Sequence, residues 1–186
     1  VIVHTGFGKA TSSGKVVVRT ANAGGAAVNG SLSFSPGTAS AGNTGAVYIG
    51  SGDATGGKSG FVSITVGSGD TLDGGDVTVV AGETTASTKT GGYVSITAGK
   101  ATHTTDGQGG LVEMYGGAGS GKSGGNVIVH TGFGKKSSSG NVVVRTANAG
   151  GAGVSGSLSF SSGTASDGNS GAVYIGSGDA TTGKGG

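Results

Sequence analysis

Apolar residues recur along this chain as pairs one residue apart, and the pairs return about every fifteen residues. Ala46–Gly60, AVYIGSGDATGGKSG, is the clearest unit: Val47 and Ile49, then the small residues Gly52 and Ala54, then a polar glycine-rich stretch. After a partial first unit, Val1–Gly14, units begin at Lys15, Ser31, Ala46, Phe61, Asp76, Tyr93, Leu111, Asn126, Asn141, Ser157 and Ala172. Their second and fourth positions run from Val16 and Val18, through Leu32 and Phe34, to Val173 and Ile175. An apolar pair with period two predicts a strand with one buried face. The seventh position is always Gly or Ala, and so is the ninth except at Thr84. No segment carries a 3.6-residue period, so no helix is expected.

A longer period is superimposed on the short one. Val1–Gly60 recurs as Val127–Gly186, 126 residues on, with ten differences that all avoid the apolar pairs. Internal repeats of this kind indicate a repeat architecture. The pattern predicts an all-β fold: a thin, two-sided parallel β-solenoid of about fifteen residues per coil, with eight coils in each 126-residue super-repeat. Residues 1–186 are then one continuous solenoid, a window of a longer array. The large pair of each coil would face the small seventh and ninth residues of the returning strand. Glycine would supply the positive φ of two tight turns per coil. Asp76–Gly92 and Tyr93–Gly110 exceed the metre, so AGETTASTKTGG and AGKATHTTDGQGG are expected to bulge as longer turns.

Composition narrows the alternatives. The chain has 46 Gly but one Pro and no Gly-X-Y spacing, which excludes a collagen triple helix. Only 11% of residues are charged and 33% are apolar, unlike a charge-driven disordered tail. No run approaches the roughly 20 apolar residues of a membrane helix, so no membrane span is expected. Net charge is +2 with Lys and Arg scattered singly, which offers a nucleic-acid backbone no basic track. The absence of cysteine removes disulfides, thiolate metal sites and cysteine nucleophiles together.

Several stretches imitate chemistry. Gly116–Ser123, GGAGSGKS, matches the phosphate-binding pattern G-x-x-x-x-G-K-S/T, but such a loop needs a helix after it. The next segment, GGNVIVHTG, reads as another strand, and Gly52–Ser59 repeats the pattern at the same phase. Both are turns of a Gly/Ser/Lys-rich repeat. Asp53, Asp70, Asp73 and Asp179 do not fall in tandem G-G-x-G-x-D nonapeptides, so no calcium roll is expected. The third positions (Val17, Ser33, Tyr48, Ser63 and onward) are too mixed for the flat Thr row of an ice-binding face. No catalytic, cofactor-binding or metal-binding residue is assigned, and no enzyme activity is expected.

The third and fifth positions carry a different signal. Ile128, His130, Val143, Arg145 and Tyr174, with their repeat counterparts Ile2, Val17 and Tyr48, form a candidate lateral-contact patch. At eight coils of roughly 4.8 Å, the patches would stand about 38 Å apart along a solenoid. Exposed apolar groups at fixed spacing mark contact surfaces. Asn29-Gly30-Ser31 is a formal N-glycosylation sequon, whose second copy has Ser155 in place of the asparagine.

The stretches SGDATGGKSGFVSITVGSGDTLDGGDVTVVAGETTASTKTGGYVSITAG and NVVVRTANAGGAGVSGSLSFSSGTAS resemble the long Gly/Ser/Thr/Val-rich repeat proteins predicted in stramenopiles, such as diatoms and oomycetes. The resemblance covers essentially the whole chain. It implies an extracellular or cell-surface fibrous repeat glycoprotein and carries over no catalytic or cofactor residue. The function expected from the sequence is structural: a filament or fibril built by coil stacking and lateral packing, with the chain itself as partner and covalent glycans on its turns. The alternative is a stalk or adhesin presenting one face to glycan, ice or mineral.

Overall fold

A computed structural model describes every residue except Gly8, Ala10, Thr11 and Ala26. Gly8, the ninth-position residue of the partial unit, therefore lies outside the described residues. Among the described residues there is no helix and no β-strand. The all-β expectation is overturned, and the parallel β-solenoid, or β-helix, goes with it. Contacts divide the chain into two units, Val1–Val94 and Ser95–Gly186. The division falls inside the repeat Tyr93–Gly110.

The fifteen-residue metre survives as a different object. Each complete repeat, as far as its residues are described, is an open run of six residues followed by a loop that returns to the end of that run. A Cβ placed on the last glycine of a repeat meets the sixth or seventh residue of the same repeat in all twelve cases. At Gly14 it would stand 2.9 Å from Thr5 Cβ, at Gly75 2.9 Å from Val66 Cγ1, and at Gly156 3.3 Å from Thr146 Cγ2. Four of these closures carry a backbone hydrogen bond, from the last glycine N–H to the seventh-residue carbonyl. They are Gly92 to Gly82 (2.9 Å), Gly110 to Gly99 (2.9 Å), Gly125 to Gly117 (2.8 Å) and Gly140 to Gly132 (3.1 Å). The two long repeats, Asp76–Gly92 and Tyr93–Gly110, close by the same bond. Their extra residues are taken up inside the loop, at turns around Ser87–Thr88 and Thr104–Asp106.

The closing glycine is thus selected for closeness rather than for handedness. Among the described residues, positive φ is confined to Gly25 (63°), Gly151 (32°), Gly168 (111°) and the non-glycine Thr88 (61°). Gly25 and Gly151 occupy equivalent places in the two sixteen-residue repeats, where one added residue must be accommodated. The expected role of glycine, two left-handed turns per coil, is corrected accordingly. At eight of the twelve repeat ends a Cβ would be crowded at 2.9–3.3 Å, whereas at Gly45, Gly60, Gly171 and Gly186 it would stand at ordinary contact distance, 3.4–3.8 Å.

Burial follows the loops and not the apolar pairs. No described residue is fully buried. The eight half-buried residues are Thr5, Thr20, Ala81, Ala98 and Thr146 at the sixth position, and Ala23, Ala101 and Gly134 at the ninth. These are the necks and inner corners of the closed loops. The expected core pairs stay in water: second-position side chains of the complete repeats are 49–59% exposed, and fourth-position ones more so at most repeats.

The physical reason is the weakness of a single run. Two β-branched side chains bury too little apolar surface to offset the ordering of fifteen residues. A strand also needs a partner ladder, and isolated runs without one are marginal in water. All backbone hydrogen bonds among the described residues outside regular structure lie within one repeat, including Gly153 N–H to Gly150 O at 2.9 Å. Phe160 and the next run, Val173–Ile175, flank an open groove of about 350 Å³ instead of closing it.

Candidate functional site

The candidate patch residues are all exposed. In the complete repeats the third-position ones are more so than the second-position residues before them (Tyr48 93% against Val47 51%, Tyr174 92% against Val173 52%), but not set apart from the fourth-position residues after them. Ile128 is 68% exposed and the adjacent, formerly inward Val129 is 67%. With no strand there is no inner face to define an outer one. The apolar run as a whole is the exposed feature, recurring at every repeat of both units. Ile2, Val17 and Tyr48 lie in the first unit; Ile128, His130, Val143, Arg145 and Tyr174 lie in the second.

Two open depressions border patch residues. Arg145 lines one of about 360 Å³ with Thr146, Ala147 and Asn148. Tyr174 lines the apolar groove shared with Phe160, Val173 and Ile175. Neither encloses a volume from which water is excluded, which a site for chemistry on a small substrate needs. Local polar pairs are few and exposed. Tyr115 Oη donates to Glu113 Oε1 at 2.7 Å, and this hydrogen bond holds the phenol pKa above its ordinary value. His4 Nδ1 lies 3.2 Å from the Thr5 carbonyl. On the second long loop, His103 Nδ1 approaches Thr105 Oγ1 at 3.2 Å.

The phosphate-loop imitation resolves into a closed loop with no helix after it. Gly117–Gly125 returns on itself, and the carbonyl oxygens of Lys122 and Ser123 crowd Gly119, where a Cβ would meet them at 2.5 and 2.6 Å. Asn29 is exposed, and its side-chain Oδ1 accepts a hydrogen bond from the Ala23 N–H at 2.5 Å. The middle residue of its sequon, Gly30, is a closing glycine, 3.2 Å from Thr20 Cγ2 on the same measure. Among the described residues no three His, Asp or Glu side chains gather as a metal set, and no helix is long and apolar enough to cross a membrane.

Sequence reasoning missed the loop neck, although its signal was present. The last residue of every repeat is glycine, and the sixth is Thr, Ser, Pro, Val, Ala or Gly, never a long side chain. That pairing of a fixed glycine with a short partner is what a close backbone approach requires.

No family model, no curated protein and no solved structure matches this chain. The resemblance to stramenopile repeat proteins gains nothing from these comparisons.

Proposed function

We propose that this is a structural repeat protein whose chains associate with one another through their exposed apolar runs, building an extracellular filament or fibril. One observation carries the reading. Val, Ile, Leu and Phe recur at a fixed phase in every repeat, yet no hydrophobic residue is buried among the described residues. An apolar pair maintained through twelve repeats without an intrachain core is surface waiting to be covered, and large exposed apolar surface drives association. A second copy is the fitting partner because every copy offers the same run at the same spacing. The duplicated stretches Val1–Gly60 and Val127–Gly186 allow each chain to engage two others, which is the requirement for open-ended growth. Intrachain coil stacking is no part of this mechanism.

Sedimentation across a concentration series, followed by electron microscopy, tests the proposal. Concentration-dependent growth into elongated assemblies is expected. A chain that stays monomeric from micromolar to millimolar concentration overturns it.

A further inference from the structure

The twelve loop closures are a feature that self-association does not use. Each joins the end of an open run to the last glycine of its own repeat, so the residues between contribute nothing to the distance the chain spans. We infer that these loops are stored length: tension opens the neck and lengthens the chain reversibly, without disrupting a core.

Three observations support this. The closure is present in all twelve repeats, including the two whose loops are longer, so it is a property of the repeat and not of one sequence. What holds it is slight: one backbone hydrogen bond where present, as at Gly92 to Gly82, and half-burial of a small residue such as Ala81 or Thr146. No apolar cluster spans the neck, since no hydrophobic residue is buried among the described residues. An opening neck therefore exposes little and can re-form quickly, on the roughly 10–100 ns scale of closing a ten-residue loop. The eight residue steps from Gly117 to Gly125 span up to about 27 Å when extended, at ~3.4 Å each. Closed, the same segment bridges one hydrogen bond. The inference does not depend on assembly, because each closure is intrachain and lies within one repeat.

Force–extension measurements on the full chain, tethered by its ends, test it with a matched pair of variants. In the first, Gly110, Gly125, Gly140 and Gly156 become Val; a Cβ at these positions would stand 3.1–3.3 Å from Gly99 N, Gly117 N, Thr131 Cβ and Thr146 Cγ2 respectively. In the second, Gly99, Gly117, Gly132 and Gly163 become Val; a Cβ there meets nothing within 4 Å. Both sets make the same chemical change, so any general stiffening by valine is common to both. At low force the first variant should be longer than the second by an effective contour on the order of 100 Å, from four loops of about 27–37 Å. The two curves should converge at high force, and neither should show hysteresis. Identical curves at all forces would overturn the inference, as would abrupt, hysteretic rupture steps.

Discussion

Amide hydrogen exchange offers the sharpest test of an open chain with closed loops. The perturbation is solvent deuterium, applied to dilute monomer at neutral pH. The Gly92, Gly110, Gly125, Gly140 and Gly153 N–H groups are held by backbone carbonyls at 2.8–3.1 Å. An exposed backbone hydrogen bond contributes about 1 kcal/mol net, which corresponds to roughly fivefold protection for an independently opening loop. Amides of the open runs, such as Val47, Ile49, Val127 and Val129, have no laddered partner among the described residues and should exchange within about twofold of an unstructured peptide. Exchange read residue by residue by NMR distinguishes the two classes. Protection of about a thousandfold or more running through the second to fourth positions of consecutive repeats would refute the reasoning. It would require cooperative opening of paired strands, not of single loops.

Four further outcomes follow from the geometry. Gly75→Ala places a Cβ 2.9 Å from Val66 Cγ1, whereas Gly67→Ala enters open space, so only the first should abolish the nuclear Overhauser contact between residues 66 and 75. Ile128→Asp with Val143→Asp removes two exposed apolar side chains, each contributing roughly 1.5–3 kcal/mol if covered on association. Sedimentation should then show the assembly threshold raised roughly a hundredfold or more, with the monomer's circular dichroism unchanged. Glu113→Gln removes the carboxylate that accepts the Tyr115 hydroxyl, so the Tyr115 titration followed by ultraviolet absorbance should move to lower pH. Secretion from a eukaryotic host should yield a chain that an N-glycosidase shifts in mass, and Asn29→Gln should abolish that shift.

The repeat metre was fully legible in the sequence. Repeat boundaries, the 126-residue duplication and the extra length of Asp76–Gly92 and Tyr93–Gly110 needed only the spacing of Val, Ile and Gly. The phosphate-loop pattern at Gly116–Ser123 could be set aside because no helix was expected after it, and none follows it in the structure. The meaning of the apolar pairs was not legible. Period-two alternation reports which side chains could share a face. It carries no information on whether another run supplies the ladder that would bury them.

Sequence alone therefore determined a twelve-fold repetition of one short unit, with its invariant final glycine and small sixth residue, because local spacing is written directly in the order of residues. Only the tertiary structure decided what that glycine does. It lies against the sixth or seventh residue of its own repeat, where a Cβ at Gly75 would press on Val66, so closure is intrachain and local. Only the structure, too, left Val47, Ile49 and their equivalents in water. Two side chains per run are too few to order a coil, so the apolar pattern is available to partners instead of forming a core.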